Sequence, residues 1–156
     1  MKGQHLIAVF VLFMAGWLAI AQPAVEVKLM ASAQRALPQI STNDIARAIG
    51  HGLWNSNRTA VAIAIPKPKA SLLFVFLRQH HGDYLAVDVS GMEGANVGRL
   101  GPDRHYDCVE TAPLTWLHRS DGLFQIQMWT RAWSSGRRYT SSGTLAIKPD
   151  GTCLWQ

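Results

Sequence analysis

The spacing of hydrophobic and polar positions changes character near the middle of this chain. From Val25 to Ala36, "VEVKLMASAQRA" fits a helix. Pro38 must end it, because proline lacks an N–H and clashes with the preceding turn. Ser41, Thr42 and Asn43 then offer N-cap oxygens, and Asp44 faces the positive end of a second helix dipole. Ile45, Ala48, Ile49 and Leu53 fall on one helical stripe, which Gly50 and Gly52 loosen at its end. From Thr59 onward the pattern is that of strands. "TAVAIAI" stops at Pro66, and "SLLFVFLRQ" and "YLAVDVS" follow. After a glycine-spaced loop over 91–106 come "LTWLH", "LFQIQMWTRAW", "YTSSGTLAI" and "TCLWQ". Helices followed by a run of antiparallel strands predict an α+β domain, with N-terminal helices packed on a curved antiparallel β-sheet.

The order of helices and strands is similar in architecture to cystatin-like and NTF2-like folds, an analogy that carries no function. Two hairpins can be placed in register. "HHGD" separates "SLLFVFLRQ" from "YLAVDVS", and a tight turn at His81-Gly82 sets Gln79 opposite Tyr84 and Phe76 opposite Val87. His80 and Asp83 then face each other at an exposed tip. In the second hairpin, a turn at Ser135-Gly136 puts Phe124, Ile126, Met128, Thr130 and Ala132 on one face with Ile147, Leu145, Gly143, Ser141 and Tyr139. Both strands agree on that face, so it belongs to the core. The opposite face carries Gln125, Gln127, Trp129, Arg131 and Trp133 against Ala146, Thr144, Ser142, Thr140 and Arg138. Trp and Arg are enriched at binding hot spots, so Gln127, Trp129, Arg131, Trp133 and Arg138 form the candidate binding surface.

The first residues bear on where such a surface would work. Lys2 precedes an uncharged apolar run from Leu6 to Ala21, and Ala19-Ile20-Ala21 supplies a small-residue cleavage site. This layout is that of a secretory signal peptide over 1–21, leaving one domain over 22–156. The run is shorter than the roughly 20 residues that a spanning helix needs. A periplasmic or secreted protein is expected, touching a membrane only through an uncleaved signal segment. In an oxidising compartment the two cysteines, Cys108 and Cys153, predict a disulfide that stabilises the domain by about 4 kcal/mol.

Composition then removes several function classes. The net charge is +5, but the basic residues are scattered and their longest cluster is Arg137-Arg138, so no nucleic-acid partner is expected. The chain lacks the serine-hydrolase elbow, the zincin helix and the Walker phosphate loop, and no cofactor is expected. No metal is expected either, because no third ligand has suitable spacing to His80 and His81. The densest polar cluster is "DRHYDCVE" over Asp103–Glu110, where His105, Asp107 and Glu110 are weak catalytic candidates.

Three functions fit these features. The foremost is an exported binding protein with a protein partner in the cell envelope, for instance an inhibitor or immunity-type protein that blocks an envelope enzyme. A small envelope hydrolase would use the Asp103–Glu110 region, with a reactive Cys108. A pilin-like subunit would keep the apolar segment as a helix, although Ala8 stands where such subunits usually carry a carboxylate.

Overall fold

The computed structural model describes residues 26–67, 71–90, 106–118 and 122–156. Helix α1 runs over 26–36 and stops just before Pro38. Ser41 caps α2 (Thr42–Gly50), its hydroxyl accepting from the Asp44 N–H at 3.2 Å. Leu53 does not extend that helical stripe; it opens β1 (Leu53–Trp54). The remaining strands are β2 (Ala60–Pro66), β3 (Ser71–Arg78), β4 (Tyr84–Asp88), β5 (Cys108–Leu117), β6 (Phe124–Ser134), β7 (Arg137–Ile147) and β8 (Cys153–Trp155).

The α+β class holds, but the expected single curved sheet does not. The strands form two antiparallel four-stranded sheets, ordered β1-β2-β3-β4 and β5-β6-β7-β8. The cystatin-like and NTF2-like analogy rested on one sheet and is not carried further. Alternation along β2 and β3 explains the layering. Val61, Ile63, Ile65, Phe74 and Phe76 point to one side and pack with Leu29, Ala33, Leu37 and Ile45 of the helices. Ala60, Ala62, Leu73, Val75 and Leu77 point to the other side and meet Ile126, Met128, Leu145 and Ile147 of the second sheet. A sheet covered on both faces reads as a nearly unbroken apolar run, as "AVAIAI" and "LLFVFL" do. Burying each of the larger side chains among them, Val, Leu, Ile, Phe or Met, contributes about 1.5–3 kcal/mol.

The sheets are fastened together at both sides. Trp116 of β5 packs on the core between them and donates its indole N–H to the Leu53 carbonyl at 2.8 Å. At the far side the β7–β8 turn lies against β4. A Cβ on Gly151 would sit 3.2 Å from Leu85 Cδ2 and 3.3 Å from Val87 Cγ2, and its φ is +89°. The left-handed backbone favours glycine there, and a Cβ would also press slightly on the Leu85 and Val87 methyls.

The His80-His81 segment is an exposed turn, yet its register differs by one residue from expectation. Arg78 pairs with Tyr84 and Phe76 with Ala86. The loop gains Gln79, whose N–H donates to the Asp83 carbonyl at 2.8 Å, while Gly82 takes φ +83°. Asp83 pairs with Lys28 of α1 at 3.7 Å rather than with His80, and Lys28 also donates to the His81 carbonyl at 3.0 Å. The turn therefore helps seat α1 on the first sheet.

Tyr84, under the helices, is 5 % exposed, and its hydroxyl has no hydrogen-bond partner. Burial raises its pKa above the ordinary tyrosine value, and nearby Arg78 only partly offsets this. The folded state thus holds the phenol proton more tightly than the unfolded chain. Stability is undiminished below the unfolded-state value of about 10 and falls as pH rises from there through the folded pKa. Tyr84→Phe should fold at least as well at neutral pH, since it removes an unsatisfied hydroxyl, and should lose less stability at alkaline pH. Urea melts at pH 7 and above pH 10 check both statements. Gly151→Ala should cost about 1–2 kcal/mol in the same assay, through its left-handed backbone.

Candidate functional site

The β6–β7 hairpin has the register expected from its turn, with Phe124 opposite Ile147 and Trp133 opposite Arg138. Ser135 and Gly136 take φ of +50° and +76°, the positive pair that suits the twist of a two-residue hairpin. Ile126, Met128, Thr130 and Ala132 are buried on the inner face. Gln125, Gln127, Trp129, Arg131 and Trp133 alternate with them and line the outer face of the second sheet. Arg138 lies beside Trp133 on that face and is exposed.

Arg131 organises this surface. Its guanidinium carbon is 4.6 Å from the Trp129 ring centroid and 5.8 Å from that of Trp133. Glu110 faces it from β5, with a carboxylate oxygen 3.9 Å from Nη1. Each contact is weak, since a cation over an aromatic ring contributes about 0.5–1 kcal/mol when partly exposed. A long ion pair between half-exposed side chains adds less. Together they align three large side chains in one row on the hairpin. Two donors on this face, Gln125 Nε2 and Arg131 Nε, are buried without a hydrogen-bond partner.

The face continues toward the other end of the sheet. Leu117, Gln125, Ala146 and Leu154 form one cross-strand row. Its outer members, Leu117 and Leu154, are 37 % and 46 % exposed, whereas Gln125 and Ala146 between them are buried, so this end of the face is open only at its edges. Sequence reading missed the contribution of β5 because it began that strand at Leu114. The alternation of "CVETA" was the available signal: Cys108, Glu110 and Ala112 stand beside Trp133, Arg131 and Trp129.

The polar cluster before β5 does not converge on one point. Asp103 and His105 lie outside the described residues. Asp107 is exposed, accepts from the Ser135 N–H at 3.2 Å, and donates its own N–H to the Trp133 carbonyl at 2.8 Å. Those bonds tie it to the hairpin turn, while Glu110 is engaged with Arg131. Among the described residues, no three His, Cys, Asp or Glu side chains gather into a metal site, and no helix is long and apolar enough to cross a membrane.

The expected disulfide is overturned, for both cysteines are free. Cys108 pairs with Trp133 on the outer face, whereas Cys153 pairs with Ile147 and packs on the inner core. Along β7 the partner positions, Arg138 and Ile147, are separated by about 30 Å at the usual strand rise. A disulfide requires Cα atoms within about 7 Å. Burial pushes the Cys153 thiol above its ordinary range.

Comparisons of the chain with protein-family models, curated proteins and solved structures found no match. Titration of the unfolded, unreduced monomer with a thiol reagent should count two thiols. A count of zero would mean that the two strands are placed differently.

Proposed function

We propose that this is an exported binding protein of the cell envelope that works through the outer face of its second sheet. The signal-like segment before residue 22 supports export. One observation carries the binding role: the Trp129–Arg131–Trp133 row stands on a face that belongs to neither core cluster. Arg131 lies against both rings, which restricts their rotamers and lowers the ordering cost of association. Leu117 and Leu154 add exposed apolar area at the edges, Gln127 adds a half-buried polar group between them and the Trp/Arg row, and Arg138 adds an exposed cation beside Trp133. Aromatic anchors with arginine, flanked by apolar and polar residues, have the composition of protein-binding hot spots. An inhibitor or immunity-type protein acting on an envelope enzyme needs only such a rigid face and no catalytic group.

The test separates binding from folding. A partner captured from an envelope extract should bind Trp133→Ala more weakly by about 2 kcal/mol or more, with a modest change in melting. Met128→Ala should cost stability by about 2–5 kcal/mol while retaining affinity in whatever fraction stays folded. The reading is contradicted if Trp133→Ala binds as the parent does, or unfolds as readily as Met128→Ala.

A further inference from the structure

The helical side of the molecule carries a second feature, independent of the Trp/Arg face. In an antiparallel strand, the N–H and C=O of one residue point to the same side, and successive residues alternate. Thr59 accepts from Arg78 at 2.8 Å on the β3 side, whereas Ala60 accepts from Asn55 at 3.0 Å on the β1 side. The backbone groups of Ala62 and Ala64, and the Pro66 carbonyl, therefore address the β1 side. β3 pairs with β2 along its whole length, but β1 reaches only Val61 and Ala62. Continued one step, the β1 register would put His51 opposite Ala64. The chain there is still finishing α2, with the His51 N–H donating to the Arg47 carbonyl at 3.1 Å. Among the described residues, nothing pairs with β2 beyond Ala62 on this side.

A groove of about 530 Å³ lies between that open edge and α2. This is within the range of about 300–1,000 Å³ found for ligand sites. Ala64 through Lys67 form one wall, and Arg47, Ala48 and His51 form the other, with Ile40 at one end. The charges are unbalanced. Arg47 and Lys67 are exposed cations and His51 adds a further donor, against one carboxylate, Asp44. That carboxylate is already held by the Ser41 hydroxyl at 2.7 Å and lies 3.8 Å from Arg47.

We propose that this groove takes an extended acidic segment of a partner protein, which adds as a strand to β2 at Ala64. Main-chain hydrogen bonds to the N–H and C=O of Ala64, which no described residue engages on this side, supply the pairing, as in other cases of strand addition. Arg47, His51 and Lys67 select acidic side chains over neutral or basic ones. An exposed strand edge is a hazard that proteins usually blunt. Here Pro66 removes one donor and limits the addition to a short segment.

A capped peptide probe, acetyl-Glu-Val-Glu-Val-Glu-amide, tests the site on the isotope-labelled full domain and excludes any role for a free terminal carboxylate. The Ala64 amide should gain protection from hydrogen exchange, and affinity should fall with salt. β1 fills the place opposite Ala62, so the peptide residue opposite Ala64 lies near one end of the paired segment. N-methylating each residue in turn should reveal one position that weakens binding about tenfold, the equivalent of one lost hydrogen bond in a desolvated groove. Replacing Glu by Gln in the peptide, or combining Arg47→Gln with Lys67→Gln, should weaken it at least about threefold. Both protein substitutions are at exposed positions, so the amide spectrum should remain that of the folded domain. Trp133→Ala should bind the peptide unchanged, so this test is independent of the outer face. The proposal is overturned if the Ala64 amide gains no protection, if every singly N-methylated peptide binds as well as the parent, or if the peptide shifts only residues of the second sheet.

Discussion

The burial of β2 and β3 on both faces is the constraint from which the rest of the molecule follows. Their side chains alternate between two apolar sets, and neither set can face water without a large loss of stability. Helices α1 and α2 cover one set, and β6 and β7 cover the other. Because the second sheet is committed through Ile126, Met128, Leu145 and Ile147, the pleat turns Trp129, Arg131 and Trp133 outward. The candidate binding face is thus a consequence of layering as much as of its own residues. The short β1 follows from the same packing: the chain leaves α2 close beside β2 and can pair with only two of its residues.

How much of this was legible depended on how local the governing signal was. The β6–β7 hairpin could be read to the residue, since both strands alternate cleanly and Ser135-Gly136 permits one tight turn. The β3–β4 hairpin slipped by one place because Gln79 joins the loop through a backbone bond to Asp83, which no side-chain pattern announces. That slip matters: it would set Phe76, packed beneath the helices, against Val87, which faces the other sheet. Leu53 looked helical because it falls on the stripe of Ile45 and Ile49, but the chain leaves α2 at Gly50.

Sheet number and cysteine pairing are non-local, and there the sequence was silent. Nothing in the alternation of "YLAVD" and "CVETAPLTWL" says whether two strands join one sheet or two. Cysteine parity favoured a disulfide, yet parity carries no geometry. Strand phase does: Cys108 lies in phase with Glu110 and outward-facing Arg131, while Cys153 lies in phase with inward-facing Ile147. The Trp/Arg face is legible in the sequence because Trp129, Arg131 and Trp133 alternate along one strand. The groove beside α2 is not, because it joins a helix flank to a strand edge whose freedom depends on where β1 ends.

Native-state hydrogen exchange tests the central claim most directly. If β2 and β3 are held from both sides, their amides paired across the β2–β3 ladder should exchange only through global unfolding and be the slowest in the protein. Amides of β8 and of the first turn of α2 should open at lower free energy. Exchange from the β2–β3 ladder as fast as from β8, or protection confined to β6 and β7, would contradict the account: the first sheet would not be the layer on which the other two are built.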